Sequence, residues 1–292
     1  MSLDFLSEGK RAVIENIRRA VEAGDTFRKV ELSDPKITDE DVGRVILPFD
    51  NRRESISARI RAFMARKLAE KLTAKVNKNT EIRGMDNARC VTGAAMITAN
   101  HYNPTDSTPI RMLAYECEKR KKLHIIVQET NIFMEGMFGF LMKNCNTHPV
   151  SSNREYMVKN LRPALERMVA DGAFILIYPE QEMWWNYKKP RALRDGAYHY
   201  AASFGIPVIP TFTEMVTETG ERDADGFLPV RHILHVMPPI YPDPALSVKE
   251  NRVIMQKADM DARIAKYEEV YRIAYDVEFV PERDIAGIEA DE

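Results

Sequence analysis

The sequence contains few cysteines, with three among 292 residues. Cys90, Cys117 and Cys145 are odd in number and lack the paired spacing of metal sites or redox motifs. This usage excludes a disulfide-stabilised secreted scaffold and fits a reducing cytoplasm. We therefore expect buried structural thiols.

The sequence also lacks an excess charge and a long apolar run. Lys and Arg number 42, Asp and Glu number 44, and the net charge is −2, so no overall field favours nucleic acid as a partner. The longest apolar stretches, around 91–99 and 173–178, are shorter than the roughly 20 residues that cross a bilayer. The first residues carry acids and no continuous apolar segment, which argues against a secretory signal. We expect a cytoplasmic protein.

No Gly-x-Ser-x-Gly segment occurs in the chain. In α/β hydrolases that segment holds the nucleophilic serine on a sharp turn between a strand and a helix. Its absence disfavours a serine hydrolase.

The first quarter of the chain is predicted to be helical. We expect a helical extension over 1–77 and one large α/β domain over 78–292. Residues 7–23 and 52–77 have apolar positions at helical spacing, whereas 30–48 is acidic, contains prolines and is typical of a connecting arm with little regular structure. The basic face of the second helix suits either solvent or the anionic inner surface of the cell membrane. Its basic residues are Arg52, Arg53, Arg59, Arg61, Arg66, Lys67, Lys71 and Lys75.

From residue 82 onward, short apolar runs alternate with helical patterns. This alternation is typical of an α/β sheet with flanking helices. Gly205 is placed to end one helix in the left-handed conformation before the next strand begins. The predicted strands are 94–99, 124–128, 173–178, 207–212 and 231–237, and the predicted helices are 108–119, 153–171, 192–204 and 249–275.

One turn between a predicted strand and helix, at 100–106, delivers a histidine and a carboxylate. If Asn103 caps the helix, Pro104 takes its first position and Asp106 lies in its first turn. His101 can then fold back toward Asp106, which fixes the ring tautomer and leaves the other ring nitrogen to accept a proton. A carboxylate in a first helical turn is also favoured by the helix dipole alone, so a merely packed histidine stays open as an alternative.

A second candidate segment follows the apolar strand that ends at Tyr178. Pro179 and Glu180 come next, then two tryptophans and a stretch rich in cations. A carboxylate at a strand end beside cations suits a substrate pocket. Trp184 and Trp185 suit core packing, a membrane interface or the lining of an acyl tunnel. The cations are Lys188, Lys189, Arg191 and Arg194.

Two other groups of side chains have less specific patterns. Residues 134–142 concentrate Met, Phe and Leu, which suits either a helix packed on the sheet or a soft wall for an acyl chain. His232 and His235 are three apart on a predicted strand and therefore face opposite sides. We exclude them as a metal pair.

Four segments in this order resemble the glycerolipid acyltransferase family, whose bacterial members acylate 1-acylglycerol-3-phosphate. They are Asn-His-x-x-x-x-Asp at 100–106, strand-Pro-Glu at 178–180, Gly-Ala-x-His-x-Ala at 196–201 and Pro-Val-Ile-Pro at 207–210. The resemblance, over about 82–212, implies a central mixed sheet flanked by helices, with amphipathic N-terminal helices and a C-terminal helix. It also implies transfer of a fatty acyl group from acyl-CoA or acyl carrier protein to a hydroxyl of a lysophospholipid-like or other lipid acceptor.

The resemblance further implies roles for single residues. His101 is the expected general base and Asp106 orients it, with no cofactor, metal or covalent acyl-enzyme. The thioester oxyanion is expected to take hydrogen bonds from the start of the helix after Asn103 or from 207–210.

The chain departs from the family where an acceptor phosphate is expected. The family has Gly-Thr-Arg after the Pro-Glu, whereas this chain has Gln181-Glu182-Met183, and Ser151-Ser152 stands where another arginine is expected. Either other cations substitute or the acceptor carries no phosphate near its hydroxyl. The alternative function is an acyltransferase-like protein that binds a lipid or partner and has lost acceptor recognition. The substrate-binding residues that we expect are Asn100, Glu180, Arg154, Lys188, Lys189, Arg191 and Arg194.

Overall fold

A seven-stranded sheet forms the centre of the computed structural model, which describes residues 9–31, 35–49, 53, 55–117 and 122–288. Its strands are β1 (Glu81–Arg83), β2 (Ala95–Thr98), β3 (Leu123–Gln128), β4 (Thr147–Val150), β5 (Phe174–Ile177), β6 (Val208–Thr217) and β7 (Val230–Val236). They lie in the order β1-β7-β6-β2-β5-β3-β4. The pair β6 and β7 is antiparallel and the other pairs are parallel, so the expected mixed sheet is confirmed.

Helices connect the strands and pack around the sheet. The α-helices are α1 (Lys10–Glu22), α2 (Asp39–Asp41), α3 (Ile56–Val76), α4 (Asp86–Arg89), α5 (Ser107–Glu116), α6 (Gly136–Asn144), α7 (Arg154–Tyr156), α8 (Arg162–Ala170), α9 (Gly196–Phe204), α10 (Val248–Tyr271) and α11 (Pro281–Asp284). Two π-helical turns at Val42–Ile46 and Met157–Leu161 and a 3-10 helix at Glu129–Phe133 complete the set among the described residues.

The strand β2 occupies the middle of the sheet, between β5 and β6. All of its residues are buried, and Thr98 at its end pairs with Ile177 of β5 and Pro210 of β6. The carboxyl ends of parallel strands meet at one edge of a sheet, where ligand sites of α/β folds form. The segments that follow residues 98 and 177 therefore emerge side by side.

The predicted elements of the core are confirmed with small shifts of their ends. Gly205 ends α9 with a φ of 65°, in the left-handed conformation, as predicted. The sequence pattern does not reveal β1 and β4, because strands of three and four residues are too short to show an alternation. The regular structure within 30–48 is limited to the three residues of α2 and the π turn that follows it, which fits the expectation of little regular structure there. Residues 7–8, 52, 54 and 118–119 of the predicted helices lie outside the described residues.

The helix α3 buries small residues, and its Leu68 and Leu72 pack against them partly buried. Ala65 and Ala69 pack with Leu141 of α6 and with Cys145, which follows that helix. No helix among the described residues combines the length and the apolarity of a membrane span. The exposed large side chains of α3 are Ile56, Ile60, Phe63 and Met64.

A smaller hydrophobic cluster joins α1 and Ile285 to the segment after β5. Trp184 and Trp185 lie inside it, with exposures of 0% and 6%, and the Trp184 indole N–H donates to the Arg28 carbonyl at 3.0 Å. Both tryptophans pack in a core, so a membrane-interface role for them is wrong.

The three cysteines are free, and they differ in exposure. Cys117 and Cys145 are buried, whereas Cys90 is exposed. The expectation of buried thiols is therefore wrong for Cys90.

Candidate active site

The turn after β2 places a histidine against a buried carboxylate. Nδ1 of His101 lies 2.6 Å from Oδ2 of Asp106, so the carboxylate holds the Nδ1 hydrogen of the ring. The Asp106 side chain is 4% exposed and that of His101 is 22% exposed. No described residue hydrogen-bonds Nε2 of His101, which leaves this nitrogen for a substrate proton.

The backbone of the turn fixes Asp106 in place. Its Oδ2 accepts the Tyr102 N–H at 3.1 Å, and its own N–H donates to the Asn103 carbonyl at 3.0 Å. The helix α5 begins one residue later, at Ser107, so Asn103 starts a turn and does not cap the helix as expected. A carboxylate in this position is also stabilised by the positive end of the helix.

The segment after β5 adds a tyrosine that the sequence pattern does not single out. The ring of Tyr178 stacks on that of His101, with centroids 4.2 Å apart and planes at 20°. Its hydroxyl donates to Oδ1 of Asp106 at 2.5 Å. Burial, followed by the Asp106 charge, raises the pKa of Tyr178 well above its usual range, so the phenol stays protonated. The adjacency of two strand ends is the sequence signal that points to this contact.

Glu180 braces the site from inside the protein. Its carboxylate forms an ion pair with Arg191 at 3.0 Å, and both side chains are 2% exposed. The carboxylate also accepts the N–H groups of His101 at 3.2 Å and Arg191 at 3.3 Å. The structure thus shows that Glu180 holds the His101 backbone, and its expected contact with substrate stays a prediction.

Asn100 also uses its polar atoms within the protein. Its Nδ2 donates to the Thr213 carbonyl at 3.2 Å, and its Oδ1 accepts the Thr213 N–H at 2.8 Å. The carboxamide thereby continues the pairing of β2 with β6 beyond the last strand residue. The expected substrate contact of Asn100 stays a prediction, because each polar group of the carboxamide can form a second hydrogen bond.

The cations expected to bind an acceptor phosphate fall into two groups. Lys189 and Arg191 are each 2% exposed, and the Lys189 ammonium lies 2.7 Å from Asp276 and 3.1 Å from Asp284. Internal carboxylates therefore pair with both charges, and the expected contact of these two residues with an acceptor phosphate stays a prediction. The other three lie nearer the surface, with Lys188 over the Tyr271 ring, Arg194 over the Phe27 ring and Arg154 exposed.

The segment 207–210, one expected source of oxyanion donors, is paired within the sheet. The Val208 N–H donates to the Ile240 carbonyl at 2.9 Å, and the Ile209 and Pro210 positions pair with β2. The first turn of α5 remains as the other expected source.

A small, partly open cavity of about 40 Å³ lies beside the turn at 100–106. The turn and α5 contribute Pro104, Thr105, Ser107, Thr108 and Arg111 to its wall. Part of the apolar segment 134–142 forms the facing wall, so this segment both packs as a helix and lines a cavity. The lining residues from α3 and α6 are Ala69, Leu72, Phe138, Leu141 and Met142.

Comparison with known proteins identifies the segment that carries this site. Residues 79–214 match the family model described as Acyltransferase. Among solved structures, the chain is similar to the 1-acyl-sn-glycerophosphate (LPA) acyltransferase PlsC from Thermotoga maritima, at 16% sequence identity and a TM-score of 0.48, over 90% of this chain and 100% of that one. No curated protein matches the sequence. The segment similar to the acyltransferase family contains His101, Asp106, Tyr178 and Glu180.

Proposed function

We propose that this protein transfers a fatty acyl group from a thioester, acyl-CoA or acyl carrier protein, to a hydroxyl of a lysophospholipid-like or other lipid acceptor. The observation that carries the proposal is the 2.6 Å contact between His101 Nδ1 and Asp106, with Nε2 facing away from it. The acceptor hydroxyl gives its proton to Nε2 as its oxygen attacks the thioester carbonyl. The tetrahedral intermediate then expels the thiolate, which takes the proton back from the imidazolium.

Asp106 acts in this scheme as an ionised partner. It keeps the imidazole in the tautomer that accepts at Nε2 and stabilises the imidazolium that forms. The oxyanion of the intermediate takes its hydrogen bonds from the first turn of α5. No covalent acyl-enzyme and no metal takes part.

Acyl transfer assays with a His101→Ala variant test the proposal. Labelled acyl-CoA and acyl carrier protein are offered with a panel of lysophospholipids, glycolipids and amino lipids. We expect the variant to lose roughly 100- to 10,000-fold in rate, the usual contribution of a general base. His199→Ala, which alters an exposed histidine of α9, serves as the matched control and keeps full activity.

Two outcomes contradict the proposal in different ways. Equal activity of the His101→Ala variant rejects His101 as the base. Donor binding without transfer to any acceptor instead supports the alternative function, a protein of this family that binds a lipid or partner without acylating it.

We also propose that α3 contacts the anionic inner surface of the cell membrane. Its side chains Ile56, Ile60, Phe63 and Met64 are 56–78% exposed and recur at helical spacing on one face. Exposed apolar patches bordered by basic residues are typical of helices that lie in a membrane interface. Binding to lipid vesicles measures this contact.

A further inference from the structure

Arg111 on α5 is a buried arginine without an ionic partner among the described residues. It is 6% exposed, and its neighbouring polar group is the Tyr115 hydroxyl one turn further on. Buried charges in proteins are normally paired, because an unpaired one loses its hydration without compensation. The other described cations that are buried, Lys10, Lys189, Arg191 and Arg263, each form an ion pair.

The cavity that Arg111 lines has the composition of a site for an amphipathic anion. Leu72, Phe138 and Leu141 form an apolar wall from α3 and α6, and Arg111 supplies the positive charge. A site of this kind selects ligands by one well-placed polar group within apolar walls. A ligand with an anionic group next to apolar carbon atoms can contact Arg111 and the apolar side chains at the same time.

The same cavity adjoins the catalytic turn. Thr105 and Ser107, which flank Asp106 in the sequence, belong to its lining. The positive charge of Arg111 also opposes the rise in the pKa of Tyr178, whose ring stacks on His101. The Arg111 charge therefore acts on Tyr178, the side chain that contacts both His101 and Asp106.

Arg111 is a candidate for the cation that binds the acceptor, because the positions where the family has arginines carry none in this chain. Gln181-Glu182-Met183 and Ser151-Ser152 stand in place of arginines, and Lys189 and Arg191 are neutralised inside the protein. We infer that Arg111 binds the anionic group of the acceptor lipid, a phosphate or a carboxylate, while the carbon atoms next to that group contact the apolar wall. The inference rests on the proposed acyl transfer and assigns its acceptor class, an anionic lipid with a hydroxyl near its charge.

Steady-state kinetics of Arg111→Gln and Arg111→Lys test this assignment. The acceptors are 1-oleoylglycerol 3-phosphate, N-oleoylserine and the uncharged 1-oleoylglycerol, which distinguish a phosphate, a carboxylate and no charge. We expect Arg111→Gln to raise KM roughly 10- to 100-fold for the preferred anionic acceptor, as befits a lost charge-assisted hydrogen bond. KM for 1-oleoylglycerol stays within about twofold. Arg111→Lys retains part of the preference, and Arg89→Gln, an exposed control outside the site, retains all of it.

Thermal unfolding separates this role from a structural one. Because a buried charge without a partner destabilises the folded state, Arg111→Gln is expected to keep or raise Tm. A lowered Tm together with an unchanged ratio of anionic to neutral KM overturns the assignment.

Lipid binding separates a failure of this inference from a failure of the proposed function. If the wild-type protein acylates no acceptor, its affinity for 1-oleoylglycerol 3-phosphate and N-oleoylserine is measured by calorimetry. Weaker binding of either lipid by Arg111→Gln then supports the site although acyl transfer is rejected. Equal binding by the wild-type protein and the variant rejects the site as well.

Discussion

Asp106 is held at both carboxylate oxygens, and this restraint defines the chemistry of the site. Oδ2 meets His101 and the backbone of the turn, while Oδ1 accepts the Tyr178 hydroxyl. Because Tyr178 also stacks on the His101 ring, one side chain restrains both members of the pair. A carboxylate with fewer rotational options holds the imidazole in a geometry suited to proton transfer.

The substitution Tyr178→Phe tests this restraint. It keeps the stacked ring and removes the hydrogen bond to Oδ1, so kcat is expected to fall about 10-fold, the effect of roughly 1.4 kcal/mol, while KM stays similar.

The control for this prediction is Tyr200→Phe, which alters a half-buried tyrosine of α9. It should leave kcat unchanged. A kcat of Tyr178→Phe within twofold of wild type would show that the phenol does not position the pair.

Residues near the turn differ in how far the sequence foretells them. The contact between His101 and Asp106 follows from their spacing across one turn, which is local information. Tyr178 contacts them only because β5 lies beside β2. A local sequence pattern does not predict the order of strands in a sheet. The roles of Asn100 and Glu180 likewise depend on partners that are distant in the sequence, Thr213 and Arg191.

At the scale of elements, α3 shows that apolar periodicity predicts a helix but not which of its residues contact the neighbouring helix. The spacing of its large apolar residues correctly predicts a helix, but small residues such as Ala65 and Ala69 make its contact with α6. Small side chains allow two helices to approach closely. Leu68 and Leu72 pack beside this contact, whereas Ile56, Ile60, Phe63 and Met64 remain exposed. Periodicity identifies an apolar face without identifying what covers it.

Vesicle sedimentation of a Phe63→Ser/Met64→Ser variant tests whether a membrane covers that face. The wild-type protein should bind vesicles that contain phosphatidylglycerol and bind less at high salt, since screening weakens attraction between the basic residues and the lipids. Loss of two apolar side chains that enter the bilayer should reduce partitioning roughly 10- to 100-fold.

Val253→Ser/Ile254→Ser is the matched control, because these α10 side chains are also 53–54% exposed. It should bind vesicles as the wild-type protein does. Equal losses in the two variants, or no loss in either, would refute a specific contact through α3.

At the scale of the whole molecule, residues far beyond the matched family segment hold the site in place. The backbone after β5 runs beside the catalytic turn, where the Trp184 N–H donates to the His101 carbonyl at 3.0 Å. On its other side the Lys188 N–H donates to the Asp284 carbonyl at 2.8 Å, and Ala286 donates to Asn186 at 2.9 Å. Contacts between segments about a hundred residues apart cannot be read from composition or spacing, which is why this support escapes prediction from the sequence.

Lys189 connects that support to the body of the protein, and its replacement separates a structural from a substrate-binding role. Lys189→Met leaves Asp276 and the fully buried Asp284 with Arg283 as their remaining ionic partner. Breaking a buried ion pair costs about 3 kcal/mol or more, so Tm should fall by roughly 6–12 °C, while KM for the acceptor is unchanged below the transition.

The adjacent Lys188→Met is the control and should leave Tm nearly unchanged, because Lys188 is half-buried and burial already lowers its pKa. A raised KM in Lys189→Met with an unaltered Tm would instead restore Lys189 as a ligand of the acceptor, since only a residue that contacts substrate changes binding without changing the stability of the fold.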